Sequence, residues 1–296
     1  MNLGYACINM SLGKNVTTNR SMVKRTFNEK GLDYVSELAL ANSKDLLKIL
    51  VWNKNNNIKF FRLSSAMVPW GDGLDLTTLK DYNEISTALR RAGDYAKANG
   101  IRITSHPGPF VVLTSPKENV VEAAIKDLEL HGKIFDLLGL SQTPYNKINI
   151  HCNGVYGDKL SAMDRFCENY LKLSGSVKKR LTVENDDKAS MYNVKDLMYI
   201  HNKINIPIVF DYHHHIFNTG DLTEEEALKL ASTTWGDITP VVHYSESKAL
   251  HEENNKLKPQ AHSDYIKSLP NTYGLNVDIM VEAKAKELAI LPFIKK

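Results

Sequence analysis

Cysteine is scarce in this chain. Three residues in 296, Cys7, Cys152 and Cys167, stand far apart. Such a set excludes a disulfide framework and a CxxC zinc motif, and it fits a reducing interior. Long apolar runs are missing as well. None approaches the roughly 18 residues of a membrane span, and the opening MNLGYACINM is too short and wrongly flanked for a signal peptide. The sequence predicts a soluble, cytoplasmic protein with access to the nucleoid, no membrane association and no obligate protein partner. Charge of one sign is also lacking, since 37 Lys and Arg against 34 Asp and Glu leave +3. Charge alone therefore permits a nucleic-acid partner without arguing for one. No internal repeat or low-complexity linker divides the chain, and no GxGxxG or GxxxxGK[ST] turn follows its first apolar segment, which weakens a nucleotide-binding reading.

What is present is alternation. Short apolar segments at 3–9, 58–64, 101–106, 147–152, 180–185, 206–211, 239–245 and 276–282 read as strands. Between them lie stretches with apolar residues at three-to-four spacing, such as VSELALANSKDLLKILVWN and VVEAAIKDLELHGKIFDLLGL. The second is expected to start from Ser115 and Pro116 as N-cap and first helical residue and to end near Gly139. Eight strand–helix units in one chain of this length predict an α/β fold, a single (β/α)8 TIM barrel over residues 1–296 rather than an open doubly wound sheet. The most polar stretch, residues 245–265, is expected to be a long charged loop after the seventh strand.

In such barrels the chemistry lies at the C-terminal ends of the strands. Those ends carry His106, His151, Glu184, Asp211 with the run His213 to His215, His243 and Glu282, and His262 stands in the loop after strand seven. A lone histidine in a loop is usually a surface or hydrogen-bonded residue, and a glutamate ending a strand can serve as a helix cap. Six consecutive strand ends with an imidazole or carboxylate are explained together by one metal cluster. Nitrogen and oxygen ligands without thiolates suit Zn²⁺, Mn²⁺ or similar ions. Eight ligands exceed what one ion needs, so two or three divalent ions are expected, bridged by Glu184 and Asp211. The D-x-x-H spacing nominates His214 as the partner of Asp211 and leaves His213 and His215 as neighbours. His131 and His201 fall in helical patterns and read as structural; His251, in the charged loop, reads as solvated. Phosphodiester hydrolysis and isomerisation of a sugar carbonyl both fit such a centre.

The segments GYACIN, FFRLSS, SHPGPFVVL, NIHCNGVYGDK, TVENDDK, VFDYHHH, VVHYSE, AHSDYI and DIMVEAKAKE, which run from Leu3 to about Lys286, resemble the UV-damage endonuclease family of DNA-repair enzymes. The resemblance implies a TIM barrel related to endonuclease IV that holds up to three metals and incises damaged double-stranded DNA immediately 5′ to pyrimidine dimers and some other lesions. It implies His106, His151, Glu184, Asp211, His214, His243, His262 and Glu282 as metal ligands, with Glu184, Asp211 and Glu282 as the catalytic core. Tyr5 and Asn9 match positions near the lesion groove, Pro109 and Phe110 match the loop that wedges into the duplex, and Lys188 is a phosphate contact or a solvated helix-start residue. Trp70 is a further gap-filling aromatic, and Lys14, Arg20 and Lys248 are further backbone contacts. Three departures stand out: Gly73 where the family has a histidine, with Asp72 a weak substitute; Pro109 for a glutamine; and Val241 for a lysine found in some members. Rival readings are an apurinic-site endonuclease of the same superfamily, a xylose-isomerase-like sugar isomerase or epimerase, and a barrel that binds damaged DNA without cutting it.

Overall fold

The computed structural model describes residues 1–254 and 256–294. Its eight strands are β1 (Leu3–Ala6), β2 (Phe60–Leu63), β3 (Arg102–Ser105), β4 (Ile148–His151), β5 (Leu181–Glu184), β6 (Ile208–Asp211), β7 (Val241–Tyr244) and β8 (Asp278–Val281). Each pairs in parallel with the next, and β8 returns to β1, so the sheet closes in sequence order as a (β/α)8 barrel. All eight expected strands are present, each four residues long and shorter than its apolar segment.

The helices Lys24–Asn55, Tyr82–Ala98, Glu118–Leu138, Lys159–Leu171, Val194–Ile204 and Glu224–Thr233 surround the sheet. The last two connections carry little helix: among the described residues the loop after β7 has the single turn Lys248–His251, and β8 is followed by the short turns Glu287–Ile290 and Leu291–Phe293. The polar sequence of residues 245–265 has no apolar face at helical spacing, so nothing there drives a longer helix onto the sheet. The helix at Glu118 also begins later than expected. The Ser115 hydroxyl accepts from the Lys117 amide at 3.1 Å and closes a local turn, and Lys117 remains extended at the helix entry. Its other end is as expected, with Gly139 in the left-handed conformation (φ 69°) that closes the helix. Among the described residues no helix is long and apolar enough to cross a membrane.

Strand alternation sorts the side chains into two regions. Residues such as Tyr5, Phe61, Ile103, Ile150, Val183, Phe210 and Ile279 point outward and join the helices in the main core. The other parity points into the barrel, where the apolar cluster is small: Ala6, Phe60, Val209, Val241 and Met280, with Trp235 beside them. Gly4 belongs to this inner set; a Cβ there would lie 2.6 Å from the Phe60 ring, so its absence lets that ring fill the centre. The rest of the interior is polar. Near the N-terminal mouth Arg102 pairs with Asp278 at 3.0 Å, both buried, and also donates to the carbonyls of Thr239 and Tyr145. Further along lie the buried Lys147, Asn149 and Thr182. This polar column leads directly to the strand ends that carry the chemistry.

Candidate metal centre

The column ends in a cluster around Glu184, the last residue of β5. Its carboxylate is buried and faces four imidazoles. Oε2 lies 2.9 Å from His243 Nδ1 and 3.3 Å from His106 Nε2; Oε1 lies 3.4 Å from His214 Nδ1 and 3.8 Å from His151 Nε2. Asn149 donates its amide to the same carboxylate and is itself fixed by the Thr182 hydroxyl at 2.8 Å. Ligand atoms come within 4.8 Å of one another in three sets: His106–Glu184–His243, His151–Glu184–His214, and Asp211–His243–Glu282. Seven of the eight expected ligands are thus brought together. His262 is in none of these sets. Its Nδ1 lies 3.0 Å from the Glu282 carbonyl oxygen and 3.8 Å from Glu282 Oε2, so only Nε2 is left for an ion. Of the two residues expected to bridge, Glu184 enters two of the sets and Asp211 one.

The orientation of the rings favours cations. Nδ1 of His106 faces the Pro107 carbonyl at 2.9 Å, that of His151 faces Asp186 at 3.0 Å, and that of His214 faces the Asn185 carbonyl at 2.8 Å. In the neutral ring a proton held at Nδ1 by such an acceptor leaves Nε2 with its lone pair, the usual outer-shell arrangement around a metal-ligating histidine. His243 is reversed. Its Nε2 lies 3.2 Å from the buried Lys147 Nζ, and its Nδ1 faces the carboxylates of Glu184 and Glu282. Burial pushes the Lys147 amine well below the ordinary lysine range, and burial likewise lowers His243, to about 4, against the pull of Glu184. The Lys147 contact occupies Nε2, so Nδ1 is the nitrogen that His243 turns to the cluster.

The metal fit rests on a buried atom without a hydrogen-bond partner, Asp211 Oδ2. Leaving such groups dry is costly unless a cation takes the lone pairs. Burial pushes the Asp211 carboxyl up to about 7, with His214 opposing and Glu184 and Glu282 adding to the rise. Burial would also raise Glu282, but the Arg62 guanidinium and His243 hold it below the usual carboxylate range. For His151 burial acts downward, and Glu184 and Asp186 outweigh it to raise the imidazole to about 9. That raised value has a signed consequence. At pH 7–8 His151 carries a proton that must leave before Nε2 can bind an ion, so loading with Mn²⁺ should release protons in this range and stop doing so above about pH 9. Calorimetry in two buffers of different ionisation enthalpy measures the release; identical heats in both would contradict it.

Other expected residues fall elsewhere. Tyr5 and Asn9 are both fully buried, and Tyr5 donates to Asn53 at 2.7 Å and accepts from Asn9 at 2.8 Å. Tyr5 has the outward strand parity, so it points at the helices and away from any groove. Asp72 lies in the field of Asp127 and His131 on the helix Glu118–Leu138, and a side chain at Gly73 would meet Lys126 of that helix. Neither position joins the cluster. Arg20 is occupied by Asp45 at 2.5 Å, and Lys248 pairs with Glu252 and Asp264. His251 is not solvated as expected, since it pairs with Glu246. His131 meets Asp127 and His201 the Ile206 carbonyl, both structural. Buried His213 faces the Gln260 carbonyl at 3.1 Å and His215 packs on Phe210, so the run supplies one cluster residue, His214. Lys14, Lys188, Pro109 and Phe110 are exposed, Phe110 at 88%; Trp70 is stacked on Phe27 with 42% still exposed.

Sequence reasoning missed Arg62, Lys147, Asn149 and Asp186. Their signal is parity, because Lys147, Asn149 and His151 alternate on one strand and Arg62 shares the inward parity of Phe60. A cavity of about 290 Å³ opens at the cluster, lined by Arg62, His106, Pro109, His151, Asn153 and Glu282 among others. A larger one of about 820 Å³ lies between the loops after β6 and β7 and contains none of the seven clustered residues.

Known proteins share this arrangement to different degrees. The family described as UV-endonuclease UvdE matches residues 1–296. A UV DNA damage endonuclease of Clostridium perfringens is 33% identical over 99% of this chain and 70% of its own length. A UV-damage endonuclease of Schizosaccharomyces pombe is 36% identical over 99% of this chain, which spans 50% of that protein. The crystal structure of SacUVDE superposes with a TM-score of 0.84 at 33% identity, covering 98% of this chain and 96% of that one. Endonuclease IV from Thermus thermophilus (TM-score 0.57, 12% identity) and a D-psicose 3-epimerase from Clostridium cellulolyticum (0.55, 11%) share the fold. Barrel, inward-facing ligand cluster and whole-length match agree, and the chain belongs to the UV-endonuclease UvdE family.

Proposed function

We propose that this chain is a DNA-repair endonuclease that hydrolyses the phosphodiester immediately 5′ to pyrimidine dimers and related lesions in duplex DNA. The observation that carries the reading is Glu184, a buried carboxylate with two imidazoles on each oxygen, in a cluster where the buried Asp211 Oδ2 has no hydrogen-bond partner. The three sets, with Glu184 in two of them, would hold two or three divalent ions, Mn²⁺ or Zn²⁺. Ions held there would polarise the phosphate and make water acidic enough to attack at neutral pH. The protein's own groups do the rest. Asn149 and Thr182 fix the Glu184 carboxylate, Asp186 fixes the His151 ring, and Lys147 fixes the tautomer of His243.

Lesion selection is assigned to the loop after β3. Phe110 projects from it into solvent, where an aromatic ring of this exposure has no role in the core. A damaged pair unstacks at lower cost than a sound one, and the ring can take the vacated place. Pro109 lacks the amide of the glutamine it replaces, so this wedge works by stacking alone. Phe110→Ala should leave the melting temperature unchanged and weaken binding to a UV-irradiated duplex by about 1–3 kcal/mol. Fluorescence anisotropy at constant salt measures this, and an unaltered affinity would remove Phe110 from the interface.

The proposal is tested by incubating purified protein and Mn²⁺ with a UV-irradiated duplex, an abasic duplex and a ketohexose. Cutting of the irradiated duplex supports it. Cutting of the abasic duplex alone selects the apurinic-site reading, retention without cutting a binding role, and epimerisation of the sugar without DNA cleavage a small-molecule enzyme.

A further inference from the structure

We infer that Arg62 is a catalytic residue of this centre, whose guanidinium receives the non-bridging oxygens of the scissile phosphate. The inference rests on the phosphodiesterase reading above and adds to it a residue that belongs to none of the three ligand sets.

Six strand ends, β3 to β8, contribute an imidazole or carboxylate; β2 contributes a permanent cation. Arg62 has inward parity, and its side chain is 15% exposed. It forms part of the wall of the 290 Å³ cavity together with His106, His151 and Glu282, at least one member of each ligand set. Its hydrogen bonding is largely unspent. Nη1 pairs with Glu282, Nε is buried without a partner, and no described residue accepts from Nη2. A guanidinium cannot ligate an ion and does not lose its charge, so beside divalent cations it is repelled. Glu282 offsets this only in part, since the same carboxylate also faces His243 and His262. A phosphodiester entering the cavity supplies the missing anion. Its two non-bridging oxygens match the planar N–H fork, and charge that builds on them during in-line attack strengthens the contact. Serving only as a counter-ion to Glu282 would need Nη1 alone and would leave Nε dry for no return.

Arg62→Lys and Arg62→Gln test the assignment. The lysine retains a positive charge for Glu282 but loses the fork. In the metal-loaded protein three quantities are measured: bound metal by elemental analysis, affinity for inorganic phosphate by calorimetry, and the single-turnover rate on an irradiated duplex. Arg62→Lys is expected to hold wild-type metal, to bind phosphate about ten-fold more weakly, and to cut about 100-fold more slowly. Arg62→Gln is expected to lose more on both counts; if it fails to fold, the lysine variant decides. Wild-type phosphate affinity and rate in Arg62→Lys would overturn the assignment. So would a rate loss that disappears once expressed per bound ion, because that is the result of a purely structural role. If the wild type itself cuts neither irradiated nor abasic duplex, the phosphodiesterase reading fails and takes this assignment with it. If the wild type cuts and Arg62→Lys matches it, only the role of Arg62 is lost.

Discussion

Glu184→Gln should abolish incision while leaving a soluble, folded protein. The amide keeps the volume of the carboxylate but cannot bridge two cations, and Lewis-acid stabilisation of this kind contributes several kcal/mol, on the order of 10³-fold in rate or more. The same change removes the negative charge that four imidazoles face. His151, raised to about 9 with Glu184 as the strongest upward influence, should therefore titrate at a lower pH in the metal-free variant. NMR of the imidazole resonances measures that shift independently of activity. A variant that cuts at the wild-type rate, or whose His151 titration does not move, would contradict the central place given to this carboxylate.

The second large effect is expected at the opposite end of the barrel. Arg102→Met leaves Asp278 buried inside the barrel without its cation, and the same carboxylate carries the chain start through the Asn2 amide at 2.8 Å. Breaking a buried pair from one side costs roughly 3–5 kcal/mol, because the remaining charge stays uncompensated. For a chain of this size the melting temperature should fall on the order of 10 °C. Replacing both partners, Arg102→Met with Asp278→Leu, should recover part of the loss, since the two charges leave together. The folded fraction should still cut at the wild-type rate, because the ligands occupy the other ends of the strands. Calorimetric melting checks the stability claim; an unchanged melting temperature for Arg102→Met would show that the pair does not hold the mouth of the barrel.

The two predictions divide the interior into a catalytic end and a structural end, and the sequence revealed them unequally. The catalytic end was legible because imidazoles and carboxylates recur at the close of apolar segments, a position that a parallel barrel turns into one ring. His106, His151, Glu184, Asp211, His243 and Glu282 came from that regularity alone. The structural end was not, because Arg102 lies within a strand where a basic residue normally signals exposure, and Arg62 and Lys147 beside the cluster were hidden for the same reason. They are buried because the inner face of this barrel is filled with paired polar groups rather than aliphatic layers. The surroundings of Tyr5 were hidden for the complementary reason. GYACIN resembles a groove motif, but alternation puts Gly4 and Ala6 inside and sends the tyrosine out to Asn53. Loop paths were the least accessible. Gly73 is steered onto Lys126 by packing on the helix Glu118–Leu138, and His251 is drawn to Glu246, contacts far apart in sequence or without periodic pattern. The run at 213–215 illustrates both limits. D-x-x-H spacing identified His214, while only the packing shows His213 and His215 buried on either side of it.

The most direct test of the account is to map the cut on a duplex carrying a single pyrimidine dimer, using the purified protein reloaded with Mn²⁺ after chelation. The account predicts no product from the chelated protein. With metal restored it predicts one incision, at the phosphodiester immediately 5′ to the dimer, leaving the complementary strand intact. Cleavage by the chelated protein, or scission at a position unrelated to the dimer, would contradict it.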